Sequence, residues 1–174
     1  MVLSAFFWLT VVSMTLLFAF IILGVAKFGI LPSYSAQSTK WLEVYPDFSI
    51  WMEVTLVASM LLVPVLIELG ESNPFQFLGF FAPVYLIAVS FTPRWELDDQ
   101  EHKYHVIFAA LCAVAGVAWT LFVAHTALIL LGVALAVVVV GLATKSLISA
   151  KVFWAEMVAF LSVYASILYI FIQG

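Results

Sequence analysis

The sequence predicts an all-α polytopic membrane protein, six transmembrane helices in a bundle that form a single transmembrane domain over residues 1–174. Three observations predict it. Of the 174 residues, 66% are hydrophobic and only 9% are charged, too few charges to cover a soluble domain. The apolar residues come in runs long enough to cross a bilayer. The six basic side chains sort without exception to alternate connections between those runs.

The first run covers about 2–26 and ends at Lys27, Gly29 and Pro32. It has no basic segment before it and no clean cleavage site after it, so it reads as a helix rather than a signal peptide. A segment too polar to cross, "LPSYSAQSTKWLEVYPDF", follows to about Asp47. Its Trp and Tyr residues suit the membrane–water interface. The second run, about 49–69, contains Pro64 and stops at the turn "GESNP". The third covers about 75–92, before the wet loop "PRWELDDQEHK". Residues 104–143 are almost continuously apolar, which would overshoot the hydrocarbon core as one helix. "AHT" (124–126) is the most polar point near the middle, so the spacing predicts helices over 104–123 and 127–144 with a turn at His125. The last span is about 152–171.

Six spans place both termini on one side. Lys27 and Lys40 fall in the first connection, Arg94 and Lys103 in the third, Lys145 and Lys151 in the fifth. The positive-inside rule makes that side cytoplasmic and both termini, Gly174 included, extracytoplasmic. The expected location is the bacterial inner (plasma) membrane. A formal charge of −4 with no basic patch gives no reason to expect nucleic acid. The single cysteine, Cys112, excludes an intrachain disulfide and any Cys-pair metal motif.

Ionisable residues in or beside an apolar span are costly and mark candidate sites. Glu53 lies one turn into the second span, Glu156 just over one turn into the sixth, and His105 opens the fourth. Asp98, Asp99 and His102 belong to the same depth. In "EHKYH" (101–105) and the residues before it, a helix would pair Asp98 with His102 and Glu101 with His105 at i,i+4, and His102 with His105 at i,i+3. Two imidazoles beside carboxylates suit zinc, with one further ligand from elsewhere, and such an ion activates water. Asp98, Asp99 or Glu156 would complete the shell, and Glu53 or Glu156 would serve as general base. The competing reading is an acidic helix start that favours the helix dipole and holds no metal. The spacing is not the HExxH zinc-protease pattern. His125 reads as a turn residue at the opposite surface, and Glu68 as a solvated helix end. Glu53, His105 and Glu156 are expected to converge at one depth inside the bundle.

Small residues form stripes on two spans: Ala109, Ala113, Gly116 and Thr120 on the fourth, and Ala155, Ala159, Ser162 and Ser166 on the sixth. These permit close helix packing, either within the chain or as a homo-oligomeric seam. No pair of broken helices with central charges points to a secondary transporter.

"FGILPSYSA", "LLVPVLIE", "FQFLGFFAPVYLIAVSFTP" and "HKYHVIFAALCAVAG" together resemble small six-helix integral membrane proteins of Bacteroidetes-type bacteria. The resemblance covers about residues 20–120 and implies a fold but no activity. A more distant similarity is to the alkaline ceramidases and the progestin/adiponectin receptors, seven-helix proteins with a His-bound zinc and a Ser and an Asp near the cytoplasmic face. That resemblance implies comparable parts for Ser33 or Ser35, Asp98 or Asp99, and His102 or His105. Departures are the count of six spans and Glu156 where that group has a His pair.

Three functions compete on these grounds. The first is a non-enzymatic protein that binds membrane lipids or a partner protein. The second is a zinc hydrolase of lipid amides or esters at the cytoplasmic face. The third is a proton-coupled carrier using Glu53 and Glu156.

Overall fold

The computed structural model describes residues 2–46 and 49–173. Asp47, the expected margin of the first polar segment, and Gly174 lie outside the described residues. Among the described residues there are seven helices and no strand: α1 (Val2–Phe28), α2 (Ala36–Val44), α3 (Ile50–Leu69), α4 (Phe77–Ser90), α5 (Asp99–Phe122), α6 (Ala127–Ala143) and α7 (Lys151–Gln173). Each of the six expected runs is a helix. Four of them, α1, α3, α5 and α7, are long and apolar enough to cross a membrane. The other two are apolar but shorter, 14 residues in α4 and 17 in α6, against about 20 for a full crossing.

The helix ends follow local chemistry. α1 stops where Gly29 takes a positive φ of 77° and its N–H returns to the Val25 carbonyl at 2.8 Å, the left-handed cap that glycine adopts without steric cost. α5 begins earlier than residue 104. Asp98 is extended, and its carboxylate accepts from the N–H groups of Gln100 and Glu101 at 2.9 and 2.8 Å, which satisfies donors the first turn leaves free. The turn at "AHT" is present, with His125 at φ 54°. Thr126 locks it by bonding the Ser166 hydroxyl at 2.6 Å.

α1, α3, α4, α5 and α7 touch in sequence and close into a ring, with α7 returning to α1. α6 packs outside, on α7 with a small contact to α5. The crossing of α3 and α4 is close because Gly79 has no side chain: a Cβ there would stand 2.7 Å from the Leu66 carbonyl oxygen. α2 is the element that the sequence reading does not anticipate. It is a helix, and Ala36, Gln37, Ser38, Thr39 and Trp41 are buried, so the segment packs against the bundle. Trp41 stacks on Phe20 of α1 at 5.2 Å. Gln37 lies over Gly24, where a Cβ would overlap its amide.

Candidate functional site

The ring of helices lines a cavity of about 70 Å³ that is partly open to the outside. Its walls are mostly aliphatic, among them Leu62 and Leu66 of α3, Leu86 of α4 and Val163 of α7. Ala109, Ala113 and Gly116 of α5 and Ala159 of α7 also line it. The small-residue stripes therefore face inward and make room within the chain. Thr120, Ser162 and Ser166 of the same stripes are buried, and Ala155 alone is exposed. The lining on α7 runs from Glu156 to Tyr164, about 12 Å at 1.5 Å per residue. So small a volume over that length is a narrow slot.

Tyr34, Ser35 and Glu156 form one end of the slot. Glu156 is partly buried, and its Oε2 accepts from the Tyr34 backbone N–H at 2.6 Å. Its other oxygen has no hydrogen-bond partner among the described residues. No Lys, Arg or His side chain lines the cavity. Tyr34 is fixed from several sides. Its hydroxyl bonds Thr55 of α3 at 2.8 Å, and its ring packs on Trp51 and Phe160. Burial lifts the Tyr34 hydroxyl well above the ordinary tyrosine range, and the Thr55 hydrogen bond offsets only part of this. Deeper in the bundle, Tyr164 and Ser13 share a 2.7 Å hydrogen bond, and the Ser13 hydroxyl also reaches the Ala58 carbonyl at 2.7 Å.

Above this end lies a layer of aromatic and polar groups. His105 is buried at the start of α5, and its Nδ1 meets the Thr92 hydroxyl at 2.8 Å. Thr92 also bonds the Val89 carbonyl at 2.7 Å. A carbonyl only accepts, so the Thr92 proton goes there and His105 must donate from Nδ1. His105 Nε2 then carries a bare lone pair, and it has no partner among the described residues. Trp95 stacks on His105 at 4.7 Å and on His102 at 5.4 Å, and its indole N–H donates to the Ser35 carbonyl at 3.1 Å.

The expected site residues separate on this geometry. Glu156 and His105 are both inside the bundle. Glu53 is exposed on α3 and joins neither, which corrects the expectation that all three converge. Asp98 is occupied as the α5 cap, and Asp99 and His102 are exposed. Ser33 is buried, its hydroxyl 3.1 Å from that of Ser35, and it accepts from the Ala36 N–H at 3.0 Å. That is a capping role at the start of α2. The zinc expectation needs three or four donors around one point. Among the described residues, no group of three or more His, Cys, Asp or Glu side chains is placed to hold a metal ion. Three residues that the sequence reading passed over shape this end, Thr55, Thr92 and Trp95, together with Tyr34, read there only as an interfacial aromatic. None carries a spacing signal, because each acquires its role through contacts between distant elements.

Compared with known proteins, the chain matches no family model, no curated protein and no solved structure.

Proposed function

We propose that this chain is a six-span integral membrane protein that binds a narrow apolar molecule, the chain of a lipid or lipid-like amphiphile, in the cavity inside its helix ring. One observation carries the reading: a slot lined by aliphatic side chains from every helix of the ring, with a carboxylate at one end. Apolar sites with a few placed polar groups are the usual form of small-molecule pockets. The 70 Å³ volume suits part of an unbranched chain; it is well below the roughly 150 Å³ cavity that takes up benzene.

The positions of their ends support counting α4 and α6 as spans. α4 starts beside the end of α3, where Gln76 bonds the Ile67 carbonyl, and finishes beside the second turn of α5, where Thr92 meets His105. This placement supports reading it as a span beside its longer neighbours. α6 runs from the Thr126–Ser166 contact to the Trp154–Ser146 contact at the other end of the bundle. Its outward side chains are apolar, with Leu128 84% exposed and Val139 63% exposed, a surface suited to lipid rather than water. The six basic residues lie at the α2 end, and we take that end as cytoplasmic in a plasma (inner) membrane, with both termini outside. Cysteines placed at Lys40, Asp99 and Ser149 should then react from the cytoplasmic side, and one at Asn73 from the other. Reaction of Asn73 and Asp99 from one side would end the six-span reading.

Binding is tested by photolabelling. A long-chain alcohol bearing a terminal diazirine, photolysed with the full chain in phosphatidylcholine nanodiscs, should label the stretch from Cys112 to Gly116 or the residues around Val163. Ala113→Phe should remove that label and leave labelling of the outer face of α6 unchanged. Label on the α6 face alone would sink the binding reading.

A further inference from the structure

We propose that the slot selects an amphiphile with a cationic head, a long-chain primary amine, which it holds by the free oxygen of Glu156. The proposal rests on the cavity-binding reading above and adds the chemistry of the head. Glu156 is the only carboxylate among the cavity residues, and one of its oxygens is already held by the Tyr34 N–H. The cavity that Glu156 lines has no basic side chain. The salt bridge found among the described residues, Lys40–Glu43, is exposed and elsewhere. A carboxylate drawn into an apolar bundle without a counter-charge is costly, and the groups around it do not supply one. The nearby hydroxyls are engaged: Tyr34 with Thr55, and Ser35 with Ser33. An alkylammonium head provides both the positive charge and the N–H donors that the other Glu156 oxygen lacks. Part of its unbranched tail suits the aliphatic slot running from Glu156 toward Tyr164. A fatty acid of the same length would set a second carboxylate against Glu156 and should be rejected.

The test compares three probes of one chain length, dodecylamine, dodecanol and dodecanoate. Equilibrium binding to the full chain in phosphatidylcholine nanodiscs is measured, with empty nanodiscs subtracted. Dodecylamine should bind most tightly and dodecanoate least. Glu156→Gln should weaken dodecylamine by about ten- to hundredfold, the loss expected for a hydrogen bond to a charged group. It should leave dodecanol within about threefold and reduce the discrimination against dodecanoate. Equal binding of all three probes, unchanged by Glu156→Gln, would overturn the head-group proposal and leave the apolar slot standing. Saturable binding of none of them would overturn both. Tightest binding of dodecanoate would also overturn the head-group proposal. The ranking in the unmodified chain needs no variant, so the test survives a Glu156→Gln chain that fails to fold.

Discussion

Gly79→Ala and Gly132→Ala are the same chemical change, and the structure gives them opposite signs. A methyl group at 79 would stand 2.7 Å from the Leu66 carbonyl oxygen, 2.9 Å from its carbon and 3.1 Å from its Cβ. The two nearest atoms are backbone, so no side chain can rotate away, and α3 and α4 must separate. Overpacking of this kind costs about 1–3 kcal/mol. Alanine returns up to about 1 kcal/mol through helix propensity, which leaves a net loss of about 0–2 kcal/mol. At Gly132, on the outer helix α6, a Cβ would meet nothing within 4 Å. Only the propensity gain of about 1 kcal/mol remains there. The two variants should therefore differ by about 1–3 kcal/mol. Equilibrium unfolding in mixed micelles titrated with a denaturing detergent, followed by tryptophan fluorescence, measures the difference. Equal shifts of the same sign in both variants would refute the close approach of α3 and α4, and with it one wall of the cavity.

Asp98→Ala should cost about 0.5–2 kcal/mol by removing the α5 cap, whereas Asp99→Ala, on an exposed side chain, should stay within about 0.5 kcal/mol; the same unfolding titration separates them, and equal effects would argue against the cap. Tyr34→Phe should cost about 0.5–1.5 kcal/mol through loss of the Thr55 hydrogen bond. Because burial raises the Tyr34 hydroxyl above its ordinary value, the unfolded chain loses that proton first, near pH about 10. The folded state then binds more protons than the unfolded one, and stability falls as pH rises past that point. Unfolding midpoints measured from neutral to strongly alkaline pH should fall less steeply in Tyr34→Phe than in the unmodified chain, and parallel curves would contradict the burial of this hydroxyl.

The six apolar helices were legible because their boundaries are written in local chemistry. Gly29, "GESNP" and "AHT" all end helices where expected. α2 was not legible, because "AQSTKWLEV" is polar and gains its place from tertiary contacts: Gln37 over Gly24, and Trp41 on Phe20. At the site, depth was legible and direction was not. Glu53, His105 and Glu156 were grouped because Glu53 and Glu156 lie about one turn inside their spans and His105 opens the fourth. On α3 the buried residues are Trp51, Thr55, Ala58, Ser59, Leu62, Val65 and Leu66. Glu53 is two positions from both Trp51 and Thr55, which on a 3.6-residue period puts it on the opposite face. His102 is one turn before the buried His105 but is exposed, stacked against Trp95. The i,i+3 pairing that suggested a metal site was right about spacing and silent about what else would be near.

Tyr34 explains why a carboxylate can sit at this end of the slot at all. Its backbone N–H is the hydrogen-bond donor that the Glu156 side chain has within the chain, and no substitution of the Tyr34 side chain other than proline would delete that donor. The side chain instead decides where the donor stands. The Thr55 hydrogen bond ties it to α3, and packing on Phe160 ties it to α7. One residue further on, Ser35 receives the Trp95 indole N–H and so joins the layer around His105. The Phe153 N–H, at the start of α7, donates to the Pro32 carbonyl at 2.9 Å. The connection from α1 to α2 is therefore bonded to α3, to α7 and to the loop before α5.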